Sequence, residues 1–228
     1  MKPAAAVVAV GALTISVLAQ ADIEPARFVG GSIPNVPVMM TAGADVIVSA
    51  TVSQTGTVTA VDVLRSTPPF TDAVVRAVRT WQFSAALDSD RKPMIGHVLI
   101  QAIARPPSLN SPTIGTPPKD VAAADTRVPY PAQTQTPLYP VNARAEGTVL
   151  VETRVDSTGH VVDATTLRSA PPFDSAALDA ARAWTFRPAQ GASAPPSTYA
   201  YLLFVFRQPI VGPGGSPGTP SSDGGSRP

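Results

Sequence analysis

Apolar and polar residues alternate in two separate stretches of the chain. The first places apolar side chains at every second position from Val46 to Val52, and the second places three valines on one side between Val149 and Val155. A period of two with one polar face is typical of a half-buried antiparallel strand. Each stretch therefore predicts a strand that packs on a core with one side only.

Each predicted strand leads into a hairpin. The turns are residues 53–56, which read SQTG, and residues 156–159, which read DSTG. These are turn formers, and each set ends in a glycine that can adopt positive φ. The second strands are predicted to run to Leu64-Arg65 and Leu167-Arg168. The closing strands are predicted over residues 95–104 and 198–206.

A helix is predicted between each hairpin and its closing strand. The Pro-Pro pairs at 68–69 and 171–172 end the preceding strand. Thr71 and Asp174 are then predicted to cap the helices. Apolar residues follow at i, i+3, i+4 and i+7, ending at Trp81 and Trp184. An apolar stripe of this kind packs across a sheet, so both tryptophans are predicted core residues rather than recognition aromatics.

The same phrase occurs twice in the chain, as LRSTPPF at 64–70 and LRSAPPF at 167–173. Each copy is followed by Trp-x-Phe. A shift of 103 residues aligns 37–86 with 140–189 without a gap, and 21 of the 50 positions are identical. The chain therefore contains an internal duplication. Recurring charges such as Arg65/Arg168 and Arg79/Arg182 are interpreted mainly as solvated faces, with a ligand contact as the alternative.

The repeat divides the chain into two small domains, over 34–105 and 137–207. Between them, residues 106–136 are rich in proline and predict a semi-rigid linker. Residues 208–228 form a Gly/Pro/Ser tail that is predicted to be disordered. The predicted architecture is therefore two separate domains joined by a linker.

The N-terminus has the pattern of an export signal. Lys2 precedes an apolar run over residues 4–18, and Ala19-Gln20-Ala21 fits a signal peptidase site. Residues 1–21 are therefore predicted to be a signal peptide cleaved after Ala21, which places the protein in the periplasm. The alternative is an uncleaved anchor in the inner membrane.

Composition and charge argue against several functional classes. The chain has no cysteine, and without Lys2 its acidic and basic residues balance, so nothing favours nucleic acid. His97 and His160 occupy non-equivalent positions without metal-ligand spacing, and no nucleophile accompanies His160 and Asp163. We predict no enzymatic activity, no metal and no cofactor.

Several short motifs of the second repeat resemble the C-terminal domain of TonB-family energy transducers. They are Tyr139-Pro140, Glu146-Gly147-Thr148-Val149, Asp156-Ser157-Thr158-Gly159, Leu167-Arg168-Ser169 and Arg182-Ala183-Trp184-Thr185-Phe186-Arg187-Pro188. The first repeat is a degenerate version, with Val36 in place of the tyrosine and Ser84-Ala85 in place of Arg-Pro. The resemblance implies an α+β fold with two small domains. Each would be a three-stranded antiparallel sheet packed against one long and one short helix.

The resemblance also implies a binding mode, in which the closing strand pairs with a TonB-box peptide of an outer-membrane transporter. The residues that would carry it are Tyr139, Ala200, Tyr201, Leu202, Leu203, Phe204, Val205 and Phe206. This closing strand is apolar on both faces, so its edge needs a cover. Three covers remain open: a captured peptide, the same strand of another molecule in a homodimer, or the first unit of the same chain.

We therefore predict a non-enzymatic periplasmic protein that binds transporter or other envelope protein segments by strand addition, accessory to TonB-dependent transport. Two alternatives are a self-associating envelope scaffold and a divergent membrane-anchored energy transducer. The transducer is disfavoured because the N-terminal segment has no His and the first domain follows within about 15 residues, without a long proline-rich span.

Overall fold

The computed structural model describes residues 23–35, 43–104, 114–115, 126–190, 195 and 197–207. The predicted signal peptide, the C-terminal tail and most of the linker lie outside these ranges. The first unit, residues 23–104, contains β1 (Phe28–Gly30), β2 (Ala44–Val52), β3 (Val58–Arg65), α1 (Phe70–Val78), β4 (Gln82–Phe83), β5 (Ala86–Leu87), β6 (Pro93–Met94) and β7 (Gly96–Ala104). After β8 (Ile114–Gly115), the second unit, residues 126–207, contains β9 (Tyr130–Gln135), β10 (Gly147–Asp156), β11 (Val161–Arg168), α2 (Asp174–Arg182), β12 (Thr185–Arg187) and β13 (Ser197–Phe206).

The two units share one sheet. Its six strands lie in the order β11-β10-β13-β7-β2-β3, so each unit contributes three strands that are antiparallel to one another. The closing strands β7 and β13 pair in parallel at the centre, a junction that we call the seam. The predicted hairpins and closing strands are present, but the two units form one continuous sheet instead of two separate domains.

The helices lie on opposite faces of this sheet. The core under α1 contains Trp81 and also takes Leu150 and Leu203 from the second unit. The core under α2 contains Trp184 and takes Leu99 from the first unit. Each hydrophobic core is therefore built by both units. Burial on both faces of the seam explains why the closing strand β13 is apolar on both sides.

The helices are short, and their predicted caps are wrong. Thr71 lies in the first turn of α1, and its hydroxyl accepts a hydrogen bond from the backbone N–H of Thr67 (2.7 Å). Asp174 in α2 accepts in the same way from the N–H of Ala170 (2.9 Å). Both side chains reach back to the Pro-Pro loop instead of satisfying helix N–H groups, so they hold the loop against the helix.

Each Trp-x-Phe sequence is an anchor for two other segments. The indole N–H of Trp81 donates to the carbonyl of Ser32 (2.8 Å), and that of Trp184 donates to Gln135 (2.9 Å). The following phenylalanine N–H donates to a hairpin glycine, from Phe83 to Gly56 in the first unit (2.8 Å). The Trp-x-Phe sequence therefore joins the end of each helix to the hairpin turn and to an N-terminal segment.

We call these N-terminal segments the first strap, residues 23–33, and the second strap, residues 126–135. The second strap lies within residues 106–136, which the sequence predicts to be linker, but it contains β9, which pairs with β12, and its Val128 and Tyr130 are buried. The linker is therefore shorter than predicted. Within the described ranges each unit has one helix, and the second short helix implied by the resemblance is not among them.

Candidate functional site

The predicted binding strand β13 lies in the interior of the sheet. Ala200 is the cross-strand neighbour of Thr153 in β10 and of Leu99 in β7, and the two pairings continue together as far as Val205. Side chains 200 to 206 are all buried. Of the three covers that the sequence left open, the structure shows the third, which is packing on the first unit.

Strand addition at β13 therefore has no free edge in this structure. The residues concerned are Ala200, Tyr201, Leu202, Leu203, Phe204, Val205 and Phe206. The first six pair with β10 on one side and with β7 on the other, and Phe206 pairs with Gly147 of β10. A peptide could reach them only after β7 had left. Their capture of a partner stays a prediction, and it requires opening of the seam.

Tyr139, the eighth predicted binding residue, is a core residue here. It is 6% exposed, its hydroxyl donates to the carbonyl of Ala145 (2.7 Å), and its ring lies 5.5 Å from that of Phe173. Phe173 in turn stacks on Phe206 at 4.5 Å. The structure thus joins Tyr139 to the end of the closing strand, but inside the protein.

A buried polar cluster ties the first strap to the second unit. Glu152, 5% exposed, accepts hydrogen bonds from Arg27 Nη2 (2.5 Å) and from the hydroxyl of Tyr201 (3.2 Å), which itself accepts from the N–H of Phe28. The Arg27 guanidinium also lies 4.9 Å from the ring centre of Tyr199. The ion pair satisfies the carboxylate and fixes the strap across the seam.

The contacts of this cluster raise the pKa values of two of its groups. The hydrogen bond with Glu152 raises the pKa of Arg27, which keeps it charged. Burial, followed by the charge of Glu152, raises the pKa of the Tyr201 hydroxyl, which keeps that hydroxyl neutral and able to donate. This set of charges therefore acts as a structural contact between the units.

Three of the four recurring arginines that could have marked a ligand site have partners within the protein. Arg65 Nη1 lies 2.9 Å from Asp45 Oδ2, and Arg168 Nη2 donates to the carbonyl of Gly31 (3.3 Å). On the surface of α2, Arg182 lies 3.5 Å from Asp179. These contacts favour the structural interpretation of the repeated charges.

The free edges of the sheet are its outer strands, β3 and β11. Among the described residues β3 has only β2 as its sheet neighbour, and β11 has only β10. Register shifts interrupt each pairing near both ends and leave a regular stretch of four residues, 60–63 in β3 and 163–166 in β11. Asp62 and Thr165 are exposed in the middle of these stretches.

The outer strands were missed as candidate sites because sequence reasoning treated each unit as a three-stranded sheet with its closing strand at one edge. The signal that was available is their exposed charge, since Asp62 and Asp163 lie in the outer strands, whereas the closing strands β7 and β13 contain no Asp, Glu, Lys or Arg. Such charges limit unwanted pairing. The two register shifts limit the regular part of each outer strand to a short segment.

Other kinds of site receive no support from the described part of the chain. Its His, Asp and Glu residues form no group of three or more that could hold a metal ion. His97 and His160, which sequence reasoning set aside, lie near Thr51 and Thr158 respectively. No helix in these ranges is long and apolar enough to cross a bilayer.

Comparison with known proteins identifies the repeated unit. The family described as Gram-negative bacterial TonB protein C-terminal matches twice, over residues 34–100 and 135–207. No curated protein and no solved structure is significantly similar to the chain. The two matches agree with the two units that share the sheet. Because they cover more than half of the chain, the protein belongs to the TonB C-terminal family, a family of non-enzymatic protein-interaction domains.

Proposed function

We propose that this protein is a TonB-like binding protein of the cell envelope, which takes up extended segments of other envelope proteins by adding them to the outer strands β3 and β11. The observation that carries the proposal is that, among the described residues, each of these two strands has one sheet neighbour, whereas each closing strand has two. Backbone groups on a free edge bind an extended peptide with little dependence on its side chains. The role is accessory to TonB-dependent transport.

The proposed location is the periplasm, after cleavage behind Ala21. Cleavage there keeps the first strap intact, because the backbone hydrogen bonds that Glu24 exchanges with Leu87 (2.9 and 2.8 Å) lie after the site. An uncleaved N-terminus would hold the first strap against the inner membrane. Mass spectrometry of the protein from the periplasmic fraction tests this, and a chain beginning at Asp22 is expected. A chain that retains Met1 in the membrane fraction contradicts it.

The site itself is tested by photo-crosslinking in intact cells. A photo-reactive residue at Asp62 or at Thr165 is expected to give adducts with another envelope protein, because both positions are exposed on an outer strand. The matched control is Ser175, which is equally exposed but lies on α2 instead of a strand. Adducts of equal yield at Ser175 would show that the outer strands are not the site.

Binding at the closing strand is distinguished from binding at the outer strands by locking the seam. Ala104 and Val205 are parallel neighbours across it, and the chain has no cysteine of its own. The double variant Ala104→Cys with Val205→Cys should form a disulfide, since neighbouring strands bring Cα atoms within bridging distance. If the oxidised protein keeps its adducts at Asp62, the outer strands bind. If locking abolishes them, the partner needs an open seam and β13 is the site.

A second candidate function is that of a self-associating envelope scaffold. The same observation favours it, because a free strand edge can pair with a second copy as readily as with a peptide. The crosslinking experiment separates the two functions by the identity of the adduct. Adducts made only with a second copy of the chain would favour the scaffold.

A further inference from the structure

The two outer strands are related by approximate two-fold symmetry. Equivalent strands β7 and β13 run parallel at the seam, and the helices of the two units lie on opposite faces of the sheet. Take an axis in the plane of the sheet, between β7 and β13 and parallel to them. Rotation by 180° about this axis exchanges the two strands without reversing their direction, and it exchanges the two faces of the sheet. The same rotation carries β3 onto β11, so the molecule presents one kind of edge twice.

The equivalence extends to the regular stretches. Residues 60–63 and 163–166 are separated by the repeat spacing of 103, and register shifts flank both at corresponding positions. Their side chains differ, with Ala60 and Asp62 in one and Asp163 and Thr165 in the other. Strand addition relies mainly on the backbone, so the same segment fits both edges despite these differences.

The dimensions of the sheet define the partner further. Six strands spaced by about 4.8 Å place the outer strands about 24 Å apart, and segments added outside them about 34 Å apart. The sheet twist of roughly 20 to 25° per strand tilts the two edges in opposite senses about the seam. Two identical segments that are related by a two-fold axis meet this geometry.

We propose that the protein binds a two-fold symmetric partner, which supplies one identical extended segment to each outer strand. This inference rests on the proposed function and adds the symmetry and the stoichiometry of the partner. A stretch of four regular residues offers few backbone hydrogen bonds, so one edge alone binds weakly. Engagement of both edges by one partner makes the second contact intramolecular and strengthens binding by roughly 10² to 10⁴-fold.

The test uses the full chain with photo-reactive residues at Asp62, at Thr165, and at both positions together. The expected result is the same partner at both single positions, and a product of one chain with two partner polypeptides from the double variant. Probes at Ala60 and Asp163, which are also exposed and equivalent, repeat the measurement in case one position disturbs folding. Thermal unfolding of each purified variant checks that the sheet is intact.

The outcomes separate this inference from the function on which it rests. Adducts at one position only, or with a different protein at each, overturn the symmetric partner while strand addition at an outer strand stands. Absence of adducts at every outer-strand position overturns both. Adducts only with a second copy of the chain also overturn it, because the outer strands then join copies of this protein in series.

Discussion

At the residue scale, the two hairpin turns are held by equivalent hydrogen bonds to different side chains. Asp156 Oδ1 accepts hydrogen bonds from the backbone N–H groups of Thr158 and His160 (both 2.9 Å). In the first unit, Ser53 Oγ accepts from the N–H groups of Thr55 and Thr57 (both 3.2 Å). Both are side chains that mimic a backbone turn. Only the carboxylate titrates, so the hydrogen bonds of the second turn alone should weaken in acid.

The pH dependence follows from the lowered pKa of Asp156, whose largest cause is the hydrogen bond from the Thr158 hydroxyl. A lowered folded pKa contributes stability above the unfolded value near 4, and the contribution is lost as pH falls through the folded pKa. Asp156→Ser keeps an acceptor but does not titrate. Urea unfolding should therefore show wild type losing more stability than the variant below about pH 4. Parallel curves for the two proteins would contradict this assignment.

Glycine is required where each turn meets the Trp-x-Phe segment. Gly159 has φ +89°, and a Cβ on it would lie 1.8 Å from the carbonyl oxygen of Phe186. Gly159→Ala should lower the free energy of unfolding by more than about 2 kcal/mol, since a left-handed backbone and a backbone clash both oppose the new methyl group. Thermal unfolding measures this. Gly30→Ala is the control, because a Cβ on Gly30 meets nothing within 4 Å, and an equal loss there would refute the explanation.

At the scale of elements, the straps connect the two units in addition to the seam. The first strap belongs to the first unit through β1 and β4, yet its Arg27 and Phe28 bind side chains of the second unit. The second strap has the corresponding place on the opposite face, where Tyr130 packs with Leu99 in the same core. Each strap therefore lies on the same face of the sheet as the helix of its own unit and covers strands of the other unit there.

The strap contact is tested by a double-mutant cycle between Arg27 and Glu152. Arg27→Met keeps an aliphatic stem against Tyr199 but removes the charge, which leaves the buried carboxylate with the Tyr201 hydroxyl alone. We expect a loss of about 1 to 3 kcal/mol in the free energy of unfolding. In the background of Glu152→Gln the same change should cost much less. Additive losses in the cycle would show that the two side chains do not interact.

At the scale of the whole molecule, shared cores make the two units one cooperative body. Leu203 of the second unit lies in the core of α1, and Leu99 of the first lies in the core of α2, so unfolding of either unit uncovers part of the other. Small domains of about 70 residues bury too little surface to be robust alone. The duplication doubles the core in a chain that has no cysteine and therefore no disulfide.

Cooperativity predicts a single unfolding transition for the full chain. Trp184→Phe leaves Trp81 as the only tryptophan and reports the first unit, and Trp81→Phe reports the second. The urea dependence of tryptophan fluorescence in each variant should agree with circular dichroism of the same variant, which sees the whole sheet. A fluorescence midpoint distinct from the circular dichroism midpoint would show that the units unfold independently.

Local patterns predicted most of the elements. The alternation from Val46 to Val52 and the stripe ending at Trp81 depend on side chains close in sequence, so strand and helix periodicity are visible without tertiary contacts. The helix starts were the weaker part. Thr71 and Asp174 have the composition of caps, but their side chains bond to the preceding loop, and composition alone does not distinguish the two uses.

The sequence by itself determined the duplication, the order of elements in each unit and the need for a cover on the closing strand 200–206. Only the tertiary structure decided which cover it has. Pairing of β13 with β7 joins residues about a hundred positions apart, and an apolar strand carries the same side chains whether its neighbour is a peptide, a second copy or the other unit. Because the choice depends on which edges come together in space, the seam, the straps and the free outer strands became visible only in the fold.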